Sequence, residues 1–72
     1  MAAITTSTII ESVPNGGTQR NRYRYVLDTG ETHERTGWIP AAADANADMA
    51  ARGAILLDEL ARAEFEALIG NG

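Results

Sequence analysis

The clearest pattern in the chain is the alternation of polar and apolar residues from Gln19 to Leu27, which predicts a β-strand with two different faces. One face carries Arg20, Arg22, Arg24 and Val26, and the other carries Tyr23, Tyr25 and Leu27. A second strand is predicted from residue 31 to residue 39, because the β-pattern resumes there and Pro40 stops it. Residues 19–39 are therefore expected to form an antiparallel hairpin.

The loop of this hairpin is predicted from the charges that it places opposite one another. A three-residue loop over residues 28–30, with Gly30 in the left-handed region, is a common hairpin closure and sets Arg24 opposite Glu34. A two-residue loop would set Arg24 opposite Arg35, and like charges directly across two strands are unfavourable. We therefore expect the three-residue loop, which also pairs Leu27 with Glu31, Tyr25 with His33 and Tyr23 with Arg35.

The N-terminal segment Ile4 to Val13 is rich in Thr, Ile and Val and predicts another strand. Strict alternation places Ile4, Thr6, Thr8 and Ile10 on one face and Thr5, Ser7, Ile9, Glu11 and Val13 on the other. The Pro-Asn-Gly-Gly sequence of residues 14–17 predicts the turn that follows. Further along the chain, Gly37 is predicted to mark a β-bulge.

From residue 44 to residue 69 the apolar residues recur at helical spacing and predict one long α-helix. Its apolar side spans about 200°, whereas a globular helix needs a stripe only a little over 100° wide. The members of this side are Met49, Gly53, Ala54, Leu56, Leu57, Leu60, Ala61, Ala63, Phe65, Ala67 and Leu68. The polar side carries Arg52, Asp58, Glu59, Arg62 and Glu66, with Asp58 and Arg62 spaced for an ion pair. Two residues break the pattern, since Ile55 lies on the polar side and Glu64 within the apolar arc.

The start, the middle and the end of this helix carry separate signals. Asp44, Asn46 and Asp48 are each suitable N-cap residues. Gly53 either permits close packing or marks a kink, and residues 70–72 are expected to end the helix and fray. The predicted fold class is α+β: one domain over residues 1–72, with a three-stranded antiparallel meander over 1–40 and a helix over 44–69 across one face.

Size and composition point to a partner. A chain of 72 residues buries only about 60% of its unfolded surface, and small domains usually add disulfides, a metal or a partner. This chain has no Cys, so burial against a partner is the favoured stabiliser, and a well-packed monomer is the alternative. The net charge of −4 comes entirely from residues 41–72, and an acidic helix disfavours nucleic acid as the main partner. No signal peptide or membrane span is predicted, so the chain is expected to be soluble and made in the cytoplasm.

No enzyme signature is found, and no cofactor or metal is expected. Residues 44–48 read D-x-N-x-D like the opening of a calcium loop, but Met49 stands where that loop needs Gly and Ile55 where it needs Glu. His33 has no Ser or Cys placed to act as a nucleophile, so a surface or structural role is favoured for it.

Two surfaces are candidates for binding. The first is the surplus apolar side of the helix, with predicted interface residues Ile55, Leu56, Leu57, Leu60, Phe65, Leu68 and Ile69. The second is the row of Arg20, Arg22 and Arg24, which serves either to pair with the next strand through Glu34 or to bind a protein or a nucleic acid. The edge of the strand from residue 4 to residue 13 is a further candidate for adding to a neighbouring sheet.

The segment from Arg22 to Glu31, which reads RYRYVLDTGE, is followed by an Ala- and Asp-rich stretch and an acidic helix. Over residues 19–69 this arrangement resembles small structural proteins of tailed bacteriophages. The resemblance implies a non-enzymatic subunit of the virion, held among copies of itself or other virion proteins in a tail, baseplate or fibre, or as a capsid decoration. It carries no catalytic residue. The alternative from another class is a regulatory module that binds nucleic acid through the Arg20, Arg22 and Arg24 row.

Overall fold

A computed structural model describes residues 2–70 and contains three strands followed by one helix. Their bounds are β1 Ile4–Asn15, β2 Thr18–Leu27, β3 Thr32–Pro40 and α1 Ala45–Gly70. The strands form one antiparallel sheet in the order β1-β2-β3, so the predicted α+β meander with a C-terminal helix is confirmed. The predicted fraying of the C-terminus falls mostly on residues 71 and 72, which lie outside the described residues.

The hairpin between β2 and β3 has the predicted loop and register. Gly30 adopts a φ of 91°, and the amide of Leu27 donates to the carbonyl of Glu31 at 2.8 Å. Further along the strands, Tyr25 lies opposite His33, Arg24 opposite Glu34 and Tyr23 opposite Arg35. The pairing of unlike charges therefore identified the correct loop.

The hairpin between β1 and β2 has a shorter loop than predicted. Its loop is Gly16 and Gly17, and Gly16 has the positive φ, 64°, that a tight two-residue hairpin needs at its first position. Pro14 was predicted in the turn but lies in β1 opposite Gln19. Proline is accommodated there because β1 is an edge strand.

The predicted alternation along β1 is wrong. The pairing with β2 shifts between Ile4 and Thr6 and again between Ile9 and Glu11, so each interval contains an extra residue. An extra residue reverses the faces of all residues that follow it. As a result Ile4 and Ile9, predicted on opposite faces, both pack against the core.

The core lies between β2 and the first half of α1. Tyr23 and Tyr25 of the strand and Leu56 of the helix have no exposed surface, and Leu27 is 2% exposed. Four partly buried residues pack around them, Ile4, Ile9, Met49 and Leu60. The buried Gly53 faces Tyr25 so closely that an added Cβ would lie 3.1 Å from its Cε1 atom. Of the two alternatives for Gly53, the structure therefore favours close packing.

Asp44 is the residue that caps α1. Its side-chain Oδ1 accepts from the amide of Asn46 at 2.9 Å, and its carbonyl accepts the first helical hydrogen bond, from Asp48 at 3.1 Å. The bond from Asn46 satisfies an amide that a helix start otherwise leaves without a partner. Asn46 and Asp48, the other candidates, lie inside the helix.

Candidate interaction surfaces

A polar cluster joins the first turns of α1 to the sheet. The Tyr23 hydroxyl donates to Oδ2 of Asp48 at 2.6 Å and accepts from the side-chain amide of Asn21 at 3.3 Å. Oδ2 of Asp48 also accepts from Nε of Arg52 at 2.9 Å. Arg52 was predicted on the polar side of the helix, and its contact with Asp48 places it instead beside the sheet. The four-residue spacing of Asp48 and Arg52 is the one sequence signal that points to this pair.

Gly37 makes room for this cluster. It pairs regularly with Asn21 and the β2–β3 register has no shift, so the predicted bulge at Gly37 is wrong. A Cβ at this position would collide with the Asp48 carboxylate and would lie 2.7 Å from Cε2 of Tyr23 and 2.8 Å from Nε of Arg52. Glycine is needed here because side chains of the helix pack directly against the strand backbone.

The surroundings of Asp48, Tyr23 and Tyr25 favour an ionised carboxylate and neutral phenols. Burial acts to raise the pKa of Asp48, but the hydrogen bonds from Tyr23 and Arg52 outweigh it and hold this pKa below its ordinary value. Burial, together with the hydrogen bond to Asp48, raises the pKa of Tyr23. Burial also raises the pKa of Tyr25, whose hydroxyl donates to the Met49 carbonyl at 2.7 Å. The ionised Asp48 accepts hydrogen bonds from Tyr23 and Arg52, and the neutral Tyr25 donates to the helix backbone. These contacts hold the helix on the sheet.

The residues weighed for metal or catalytic chemistry are dispersed. His33 has Nε2 at 3.5 Å from the Glu31 carboxylate, at the loop end of the sheet. Asp44 and Asp48 are the first and last residues of the calcium-like sequence. Asp44 accepts from the amide of Asn46 at the start of the helix, and Asp48 accepts from the Tyr23 hydroxyl. Within residues 2–70 no three His, Cys, Asp or Glu side chains come close enough to hold a metal ion.

The predicted Arg row lies on the face of the sheet opposite the helix. Nη2 of Arg22 lies 2.6 Å from one carboxylate oxygen of Glu34, and Nη2 of Arg24 lies 3.2 Å from the other. Arg20 is 4.0 Å from Glu11. The hydrogen bond from Arg24, and then that from Arg22, lower the pKa of Glu34. The predicted pairing of Arg24 with Glu34 is confirmed, with Tyr23 and Tyr25 buried under the helix on the other face.

We call this open surface the Arg face. Its charged members are three arginines and two glutamates, Arg20, Arg22, Arg24, Glu11 and Glu34, with a net charge of +1. Its exposed large apolar members lie at the end nearest the Gly16–Gly17 loop, where Val13 is 36% and Trp38 57% exposed. The Trp38 indole is oriented by a hydrogen bond from Nε1 to the Thr18 hydroxyl at 2.9 Å. The face therefore combines an excess of positive charge with an exposed ring.

The end of α1 projects beyond the sheet. We call residues 57–70, which follow the last buried residue Leu56, the helix arm. The last ion pair between helix and sheet within residues 2–70 is that of Glu59 with Arg35, at 3.4 Å. Every residue from 62 to 70 is exposed. The molecule is accordingly elongated, with principal extents of 50, 21 and 15 Å.

The structure divides the predicted helix interface into two groups. Leu56 belongs to the domain's own core, Leu60 packs against that core, and Leu57 is half-buried, so Leu56 leaves the set of interface candidates. The four others are exposed: Ile55 by 55%, Phe65 by 63%, Leu68 by 77% and Ile69 by 62%. Three of these four lie together near the end of the arm, whereas Ile55 lies more than two helical turns before them.

Two further findings bear on the chain's class. Within residues 2–70, α1 is not apolar enough over a sufficient length to cross a membrane. Comparison with protein-family models, with curated proteins and with solved structures found no match for this chain.

Proposed function

We propose that this chain is a non-enzymatic assembly protein, a subunit of a bacteriophage particle that binds its neighbours chiefly through the helix arm. The observation that carries the proposal is the exposure of Phe65, Leu68 and Ile69 on a helical segment that nothing else within residues 2–70 covers. The bacteriophage context is supported by the resemblance of residues 19–69 to small structural proteins of tailed phages.

The exposed apolar side chains of the arm are unfavourable in water and would be stabilised by burial. Full burial of a Leu, Ile or Phe side chain contributes about 1.5–3 kcal/mol, and clustered exposed apolar residues commonly mark interaction sites. On the arm, Leu57, Ala61, Phe65 and Leu68 recur at spacings of four, four and three residues, which places them on one side of the helix. The domain half-buries Leu57 and Ala61, whereas Phe65 and Leu68 are exposed. We call this row the arm stripe, and it has the spacing of a helix that packs against a partner.

The sheet edge is a secondary contact in this proposal. β1 and β3 are both edge strands, but the two register shifts in β1 interrupt its row of free backbone groups. Such bulges discourage pairing with another strand. The helix arm is therefore the main contact, and the regular edge of β3 is the better one for strand addition.

The competing proposal, a nucleic-acid module, has less support. The aromatic side chains that would stack on bases in such a module, Tyr23 and Tyr25, are buried on the opposite side of the sheet from the Arg row. Bases therefore have no access to these rings, and two glutamates already offset two of the three arginines.

The proposal is tested on particles purified from lysates of cells that carry the gene. Mass spectrometry is expected to find the chain in amounts similar to other structural proteins. A tagged copy with Phe65→Gln and Leu68→Gln should stay out of the particles, whereas a tagged copy with Ala51→Glu, at an exposed site in the docked half of α1, should be incorporated. A chain absent from purified particles would sink the proposal, and an incorporated Phe65/Leu68 variant would exclude the arm as the contact.

A further inference from the structure

The molecule presents two uncovered surfaces of opposite character. The helix arm carries four acids and one arginine, a net charge of −3, of which its exposed end, residues 62–70, contributes −1, whereas the Arg face carries +1. Both have exposed apolar side chains at their centre or edge, Phe65 and Leu68 on the arm and Trp38 and Val13 on the face. The two surfaces also lie on different parts of the molecule, since the arm extends past the sheet and the Arg face is turned away from α1.

We propose that the helix arm of one copy docks on the Arg face of the next copy, so that the chain assembles head to tail. This inference rests on the proposed assembly function and names the partner, a second copy of this chain. The arm stripe would lie over Trp38 and Val13. Glu64 and Glu66, which flank the stripe, would meet the arginines of β2.

The dimensions of the two surfaces agree with this contact. The arm has 14 residues and is about 21 Å long at the usual rise of a helix, and its exposed end, residues 62–70, is about 14 Å long. The central strand β2 has ten residues and is about 33 Å long. The face is three strands wide, or about 10 Å between its outer strands, which is close to the diameter of a helix. One arm therefore fits within one face.

Charge distinguishes this contact from the pairing of two arms. Two arms side by side would bring together net charges of −3 and −3, whereas an arm on the Arg face joins −3 to +1. Potentials of opposite sign favour association and suppress pairing with like-charged surfaces. The ion pairs of Arg22 and Arg24 with Glu34 are solvent-exposed, and exposed pairs exchange partners at little cost.

The arrangement has a consequence for assembly. Because the two contacting surfaces differ, each copy has one of each kind, and addition of copies continues until a ring closes or a filament grows. A subunit of this kind forms repeated structures with no second component.

The test uses two full-length variants and one control. The arm variant carries Phe65→Gln and Leu68→Gln, which keep the helix and add no charge. The face variant carries Arg22→Gln and Arg24→Gln, which change the charge of the face from +1 to −1. The control carries Ala47→Glu and Ala51→Glu, which alter net charge by the same two units at exposed sites remote from both surfaces. Circular dichroism establishes that each is folded, and light scattering after size exclusion gives its solution mass.

Wild type and control are expected to form species larger than dimers, and each variant alone should be a folded monomer. An equimolar mixture of the two variants should form heterodimers and nothing larger, because only one intact arm and one intact face remain. Oligomers of the face variant alone would show arm–arm pairing and overturn the inference. A mixture that stays monomeric would also overturn it.

A wild-type chain that stays monomeric up to about 1 mM would likewise overturn the inference, since that concentration corresponds to only weak affinity. The proposed function is judged separately by the particles. If wild type is monomeric in solution but the arm variant is excluded from particles, a different virion protein binds the arm. In that case the assembly function stands and the self-association fails.

Discussion

The hydroxyl of Tyr23 lies 2.6 Å from Oδ2 of Asp48, and this hydrogen bond connects the central strand to the first turn of the helix. It lies beside Gly37, where the side chains of Asp48 and Arg52 pack against the strand. Beyond residue 61 the helix no longer lies on the sheet, so the end of the arm, residues 62–70, is exposed.

Replacement of Tyr23 by Phe is expected to lower the free energy of unfolding by about 1.5–3 kcal/mol, because it removes a hydrogen bond to a charged, partly buried carboxylate. The matched comparison is Tyr25→Phe, which removes a bond to the neutral Met49 carbonyl and should cost about 1 kcal/mol. Urea unfolding followed by circular dichroism measures both. A smaller loss for Tyr23→Phe than for Tyr25→Phe would contradict the role given to Asp48.

Replacement of Gly37 by Ala is expected to destabilise the fold by about 1–3 kcal/mol, the usual cost of overpacking, because the methyl group meets Asp48, Tyr23 and Arg52 at once. Gly17→Ala is the control, since a Cβ there has nothing within 4 Å. It should shift stability by less than about 0.5 kcal/mol. Equal thermal midpoints for the two variants would show that Gly37 is not a close-packing position.

The stabilisation from Asp48 is expected to disappear in acid. Its pKa is lowered by folding, so its contribution is fully present above its ordinary pKa of 3.8 and is lost as pH falls through the lower value of the folded state. Asp48→Asn should therefore be less stable than wild type at neutral pH, and the difference should shrink below pH 3.8. Urea titrations at a series of pH values measure this difference. A gap that is independent of pH would argue against an ionised Asp48 in the folded state.

Amide hydrogen exchange is expected to divide α1 into two parts. At low protein concentration, amides of residues 62–70 should exchange faster than those of residues 49–60, because only the latter lie on the core. If the arm docks on a neighbouring copy, its protection should rise with protein concentration. Exchange detected by NMR follows both effects, and uniform protection along the helix at every concentration would refute the division.

Replacement of Glu34 by Gln is expected to strengthen self-association, because it raises the net charge of the Arg face from +1 to +2 and frees Arg22 and Arg24 for an acidic partner. The gain should diminish as salt is added, since screening weakens exposed charge pairs. Sedimentation velocity at low and high ionic strength measures it. Glu31→Gln, at an exposed position next to the hairpin loop, is the control for charge alone and should leave association unchanged.

Local patterns were sufficient to predict most of the fold. The alternation in β2 identified its two faces, and the repulsion expected between Arg24 and Arg35 identified the loop and register of the second hairpin. The helical spacing after residue 44 identified α1, and the excess width of its apolar side indicated surface that the sheet does not cover. These features depend on neighbours along the chain or directly across one hairpin, so the sequence contains the necessary information.

Tertiary contacts decided the rest. The bulges of β1 arise because Ile4 and Ile9 both pack toward the core, and strand propensity does not indicate where an extra residue is accommodated. Position 37 needs glycine because Asp48 and Arg52, which belong to a distant element of the chain, pack against its backbone. The contact between helix and sheet ends between Leu56, which is buried in the core, and Phe65, which is exposed on the arm. The residue pattern was enough for the elements, the two faces of β2 and the surplus of apolar surface. The crossing of helix and sheet decided which of those residues are buried, because burial depends on the relative placement of elements far apart in the chain.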